Sequence, residues 1–364
     1  MSLPSTNADG LLNLVAELER RLSGSSPSLP LNPELSSLIP AAGTYLFVLF
    51  DGLGDMQLSH PAVADLAACR RGRLQAPFPT TTTVSLATVA SGQAVASHGW
   101  LGHLMWLPDL GQVVNTLKWV DLAGQPVAYP YADLLPAPNL WERLRAAGVG
   151  VVTVQPTEFA ASPLTAALYR GCRFAGYSNA AEFVEICLIE AAAPGQLVFA
   201  YWPPVDFAAH VHGMGSTEYV EALAGADRVW ASLLNRVPDG ITLLGTADHG
   251  MVAVAPEGKR LIRHPDYRML DFYGDPRAVM VRGSARLIRR LRAETGAELV
   301  EETELRSWWG AGQRHPDLEG RYPQAVLLAP DSSVLLPPGF DKRLAGYHGG
   351  LTEAETAIPL LVRS

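Results

Sequence analysis

The chain has 364 residues, of which 48% are hydrophobic and 18% charged, proportions that fit a globular protein with a large core and exclude a disordered one. Its net charge of −8 is spread along the sequence without a Lys/Arg-rich run, which argues against nucleic acid as a partner, because backbone phosphates need a basic surface. The cysteines Cys69, Cys172 and Cys187 are odd in number and lack CxxC spacing, so neither a disulfide framework nor a thiolate metal site is expected.

In chain order, residues 11–22 read as an amphipathic helix and the Ser/Pro-rich stretch Ser23 to Pro40 as a linker or surface wrap. No basic segment followed by an apolar stretch opens the chain, and no apolar run reaches membrane-spanning length. The expectation is therefore no signal peptide, no membrane and a cytoplasmic location. Short apolar runs follow at Tyr45–Phe50, Val149–Val154, Leu197–Tyr201 and Ile241–Leu244, each bounded by Gly, Pro or Asp, as buried strands of a parallel sheet are. Helices are predicted near 83–91, 138–147, 179–192 and 216–235. This alternation predicts an α/β fold, a doubly wound, mostly parallel sheet flanked by helices. From about Ala253 to Leu344 the texture shifts to short strand-like pieces (Ala278–Val281, Ala325–Leu328) around an Arg-rich helix near 284–295. The expected organisation is an N-terminal helix and linker over 1–40, a catalytic core of 41–252 plus 346–364, and a smaller α+β insertion or cap over 253–345. The final run Ala357–Val362 rejoins the main sheet.

Four places put carboxylates or imidazoles beside apolar runs: Asp51-Gly52, Asp206 with His210, Asp248-His249-Gly250, and His348-Gly349. In open parallel sheets, ligands bind at the carboxyl ends of strands, so three of the four groups converge on one edge. Each piece alone has a plainer reading, as a turn, a helix-surface pair, a capping Asp or a turn histidine. Their conjunction does not. Three Asp and three His suffice for two divalent metal ions, and mixed Asp/His donation suits Zn, with Mn or Fe as alternatives, better than Mg or Ca.

The stretch Phe78-Pro-Thr-Thr-Thr-Thr-Val-Ser to Gly92 reads as a loop entering a helix. A helix N-terminus offers free N–H groups and partial positive charge to an anion. A threonine hydroxyl placed there beside a metal is a candidate nucleophile.

With these residues assembled, the chain resembles the alkaline phosphatase superfamily, in particular its type I phosphodiesterase/nucleotide pyrophosphatase branch. The resemblance covers Tyr45–Gly92, Tyr201–Gly213, Leu243–Met251 and Gly346–Val362. It implies one metal held by Asp206, His210 and His348, and a second held by Asp51, Asp248 and His249 with Thr82. The Pro-Thr-x-Thr pattern of that branch lands on Pro79 to Thr82, which makes Thr82 the implied nucleophile and Thr81 the fallback. Where the branch places an Asn about twenty residues further on, this chain has His103, with Asn115 as the other candidate donor to the phosphoryl group. The implied reaction is hydrolysis of a small phosphorylated substrate, a nucleotide among the options, through a phospho-threonine. A phosphomonoesterase or a phosphonoacetate hydrolase of the same superfamily is the alternative, and a catalytically silent metal-binding scaffold is the non-enzymatic one. A sulfatase is disfavoured because Cys69-Arg-Arg-Gly-Arg73 lacks the required Pro. Arg263, Trp308 and Trp309 are further candidates for shaping the pocket.

Overall fold

The computed structural model describes residues 7–310, 312–330 and 332–363, so the first six residues of the expected N-terminal segment lie outside it. The helix Leu11–Ser23 turns Leu11, Leu14, Val15 and Leu18 into the core. The Ser/Pro-rich stretch after it wraps the surface. It contains a short helix, Pro33–Ser37, and buries Leu31 and Ile39 against the main body.

The strand Thr44–Phe50 is buried at every position, as its unbroken run of apolar residues requires when both faces are covered. It pairs in parallel with Gln196–Trp202 on one side and Ile241–Thr246 on the other. Gly150–Pro156 and Arg173–Tyr177 extend the parallel set beyond Gln196–Trp202. On the opposite flank Ala357–Val362 runs antiparallel to Ile241–Thr246, and Arg70–Gln75 antiparallel to Ala357–Val362. The result is a seven-stranded central sheet. Around it lie Thr82–Ser91, Leu140–Ala146, Ala180–Ala191 and Thr217–Arg236, the last three capped by Asn139, Asn179 and Ser216, whose side chains accept first-turn N–H groups. Arg70–Gln75 was not predicted, because its Arg-Arg-Gly-Arg start hides a strand pattern. Such charge suits an edge strand.

A second seven-stranded sheet is antiparallel throughout and joins Glu298–Glu301, Ala325–Leu328, Ala278–Gly283 and Leu270–Asp275 to Leu104–Leu107, Gln112–Asn115 and Val120–Asp121. Its last three strands thus come from residues 104–121, well before the segment 253–345 expected to form the cap. The chain passes into that segment at Val252–Ala253 and out at Gly346–Tyr347, and these two short strands pair with one another. No helix among the described residues is long and apolar enough to cross a membrane.

Candidate metal centre

Because Thr44–Phe50, Gln196–Trp202 and Ile241–Thr246 are parallel neighbours, the residues just past their carboxyl ends share one edge. Asp51 follows the first strand directly. Asp206 and His210 lie one turn apart on the helix Pro204–His212 after the second, and Asp248 and His249 follow the third. Gly52 has φ +72°, and a Cβ there would lie 2.9 Å from the Asp206 Cβ, so only glycine lets the Asp51 loop close onto the Asp206 helix. His348 arrives from the segment before the last strand. Gly349 after it has φ +118°, and a Cβ would meet that of Asp275 at 2.7 Å.

The six side chains form two groups, Asp206/His210/His348 and Asp51/Asp248/His249, each with its ligand atoms within 4.8 Å of one another. The groups abut, the rings of His249 and His348 stacking at 3.7 Å. Each histidine has its Nδ1 against a backbone carbonyl: His210 on Gly346 at 2.8 Å, His348 on Thr80 at 2.8 Å, His249 on Gly250 at 3.1 Å. Carbonyls only accept, so each Nδ1 carries the proton and each Nε2 keeps its lone pair. Burial and the neighbouring His249 and His210 hold His348 well below the usual histidine range. Yet the Nε2 atoms of His210 and His348 face each other at 3.1 Å. A cation held between them would relieve two lone pairs at that distance.

The carboxylates point the same way. Asp206 Oδ1 lies 3.3 Å from His210 Nε2 and 3.7 Å from His348 Nε2, and Asp248 Oδ2 lies 3.3 Å from His249 Nε2. Both oxygens are buried and accept no hydrogen bond, which is costly for a charged group left without a counter-ion. The other oxygen of Asp248 is fixed by the N–H groups of Gly52 and His249, both at 3.0 Å. Burial, then the charges of Asp248 and Asp206, push the Asp51 carboxyl well above its ordinary range, and burial raises Asp206. Orphaned oxygens, facing lone pairs and crowded carboxylates are the features that divalent cations would satisfy.

Thr82 is the first residue of the helix Thr82–Ser91. Its Oγ1 lies 3.1 Å from His249 Nε2 and 3.5 Å from Asp51 Oδ1. Thr81 instead donates to Asp275 Oδ1 at 3.0 Å, and Thr80 donates to the Gly350 carbonyl while accepting the Gly349 N–H. Of the three, Thr82 is the hydroxyl that faces the second group.

His103 and Asn115 meet. Asn115 Oδ1 accepts the N–H groups of Leu117 and Lys118 at 3.0 and 3.1 Å, which leaves its amide nitrogen to donate to His103 Nε2 at 3.2 Å. His103 therefore keeps its proton on Nδ1, and burial lowers its pKa to about 4, so the ring is neutral. Both residues line a cavity of ≈ 170 Å³ together with His210 and His348. Arg263, Trp308 and Trp309 do not line it. Trp309 is buried beside Tyr322 and Trp308 stands edge-on to Phe78.

Three residues around the groups escaped the sequence reading. Tyr201 donates its hydroxyl to Asp51 Oδ2. Its place at the end of an apolar strand gave no sign of this. Asp275 reads as part of a Gly-Asp-Pro turn, and Glu355 as an ordinary first-turn helix acid.

A mixed α/β core with helices on a large sheet, and two Asp/His groups at the carboxyl ends of its strands, define an alkaline phosphatase-type protein. A family model described as type I phosphodiesterase / nucleotide pyrophosphatase matches residues 45–306. The chain belongs to that family. No curated protein matches it in sequence. Among solved structures it is similar to the murine ectonucleotide pyrophosphatase / phosphodiesterase 5, with 19% identity, TM-score 0.65, and 87% of each chain covered. An inactive form of that murine protein in complex with AMP gives 17% identity and TM-score 0.64, again over 87% of each chain. Phosphonoacetate hydrolase from Sinorhizobium meliloti 1021, in complex with phosphonoformate, gives 19% identity and TM-score 0.63 over 89% of this chain and 91% of that one. At these identities the likeness establishes the shared fold.

Proposed function

We propose that the chain is a two-metal phosphodiesterase that acts through a phospho-threonine formed on Thr82. One divalent cation would be held by Asp206, His210 and His348, the other by Asp51, Asp248, His249 and Thr82. The observation that carries this reading is the pair of facing histidine lone pairs beside the orphaned Asp206 oxygen, with Thr82 aimed at the neighbouring group. The mixed nitrogen and oxygen donors suit Zn, with Mn or Fe as alternatives. When bound, such cations neutralise the phosphoryl oxygens and make the threonine hydroxyl more acidic.

The chain's own part follows from its geometry. Thr82 Oγ1 forms a bond to phosphorus while the ester oxygen opposite departs as an alcohol. Water then cleaves the phospho-threonine, returning the hydroxyl to Thr82 and releasing a phosphate monoester. The first helical hydrogen bonds run from Val84 and Ser85 to the Thr81 carbonyl, so the N–H groups of Thr82 and Thr83 precede them and are placed to donate to a phosphoryl oxygen. We assign His103 and Asn115 to the substrate side of the cavity, where the family pattern has a single Asn. The segment 253–345, joined by strands from 104–121, would act as the cap over the core formed by 41–252 and 346–364.

A small phosphorylated substrate is supported by the AMP and phosphonoformate complexes of the two similar proteins. The second of these keeps phosphonate hydrolysis as the alternative. A cytoplasmic site of action remains our proposal. The test compares zinc-loaded protein on a nitrophenyl phosphodiester and the matching phosphomonoester, with Thr82→Ala as control. Diester preference that disappears in the variant supports the reading. Undiminished activity in Thr82→Ala would overturn the nucleophile, and monoester preference the phosphodiesterase assignment.

A further inference from the structure

We propose that the organic group of the substrate, seated in the cavity beside the two Asp/His groups, is neutral or positively charged. This selects an uncharged or aminoalkyl phosphodiester over a carboxylate-bearing phosphonate or a polyphosphate chain, and it rests on the hydrolase reading above.

The cavity is lined by His210, His348, His103 and Asn115 together with the apolar Leu104, Phe340, Leu344 and Tyr347 and two carboxylates, Asp275, which accepts the His103 N–H, and Asp341. No Lys or Arg is among its described lining residues. Three of the cations nearby have partners of their own. Arg277, two residues beyond Asp275, is 1% exposed and spends its guanidinium on Glu355 and the carbonyls of Pro330 and Ser333. The Lys259 ammonium donates to the carbonyls of Lys342 and Leu344. Arg343 pairs with Asp341 from outside, with its side chain 85% exposed, and a pair so open to water holds little energy. Lys118 acts on His103 and Asp341 through space without lining the cavity.

Positive charge for the phosphoryl group is thus left to the cations that the two Asp/His groups would hold and to the helix end, while the rest of the lining offers apolar surface and negative charge. A second anion there meets the buried Asp275 with little water between, and the more open Asp341 beside it, and is repelled. A neutral group gains by covering Phe340 and Leu344. An ammonium gains from the carboxylates as well.

The test uses methyl phosphodiesters of ethanol, ethanolamine and glycolic acid, which differ chiefly in the charge of their one larger substituent. Calorimetric binding to zinc-loaded Thr82→Ala protein reads the charge preference without turnover. Hydrolysis by the wild type reads the activity separately. The ethyl and aminoethyl diesters are expected to bind at least about tenfold tighter than the carboxymethyl diester, and Asp341→Lys to close that gap. Equal or tighter binding of the carboxymethyl diester, or no binding of any of the three, would overturn the inference. Ordered binding with no hydrolysis by the wild type would leave the charge preference standing and remove the hydrolase reading instead.

Discussion

Arg277 and Glu355 form a buried bidentate ion pair that ties the second sheet to the central one, with Nε–Oε1 and Nη2–Oε2 both at 3.0 Å. Glu355 does more than balance charge. Its side chain accepts the Gly350 N–H at 2.8 Å and the Thr352 hydroxyl at 2.6 Å, and its carbonyl accepts the Gly250 N–H at 2.9 Å. One residue therefore holds both loops that carry His249 and His348. Arg277→Met leaves the carboxylate buried without a counter-charge, a loss of about 3–5 kcal/mol. Urea unfolding at neutral pH measures it, and a change below about 1 kcal/mol would mean that the pair is not closed in solution.

Tyr201 supports Asp51 from beneath. With the phenol gone in Tyr201→Phe, Asp51 keeps its place but loses a buried donor, and zinc affinity is expected to fall about 10- to 100-fold. Competition with a chelator of known affinity reads the change. Affinity equal to wild type would show that the hydroxyl does not orient this ligand.

Removal of metal is expected to destabilise the protein, because Asp51, Asp206 and Asp248 then face one another without counter-ions. Zinc at a hundredfold excess over its dissociation constant should add about 2.7 kcal/mol per site, seen as a higher melting temperature than after chelation. Elemental analysis should find two ions per chain, and one in His210→Ala. A melting temperature indifferent to zinc and chelator would sink the two-site assignment.

His98 gives a pH dependence apart from the metal groups. Its Nδ1 accepts the Trp100 N–H at 3.1 Å. The Thr88 hydroxyl spends its proton on the Val84 carbonyl, so it must accept from His98 Nε2 at 3.1 Å. A second ring proton would point at the Trp100 N–H, and burial pushes the pKa down to about 3. The unfolded chain therefore binds this proton near pH 6.5 and the folded chain only near pH 3. Between those values stability falls as the pH drops, by about 1.4 kcal/mol per pH unit for one such site. His98→Gln should flatten the urea midpoint over pH 6.5–4, and an unchanged slope would show that another group governs acid unfolding.

The sequence by itself marked five of the seven strands of the central sheet, missing Arg70–Gln75 and Arg173–Tyr177, and singled out the six Asp/His residues that the fold gathers into two groups. Unbroken apolar runs such as Tyr45–Phe50 mark buried strands, and parallel strands share a direction, so acids that follow them must share an edge. Thr82 stood out through a resemblance in local spacing, which needs no knowledge of distant contacts. What only the tertiary structure decided lies between segments far apart in the chain. Leu104–Leu107 joins Leu270–Asp275 through the single pairing of Gly274 with Leu104, and this sets His103 beside Asp275, 172 residues away. Short antiparallel strands of mixed polarity leave little periodicity to read, so neither the reach of the second sheet into 104–121 nor the meeting of His103 with Asn115 was visible. The histidine tautomers and the orphaned oxygens likewise depend on which carbonyl or N–H the fold brings within 3 Å. Composition and spacing carry no trace of that.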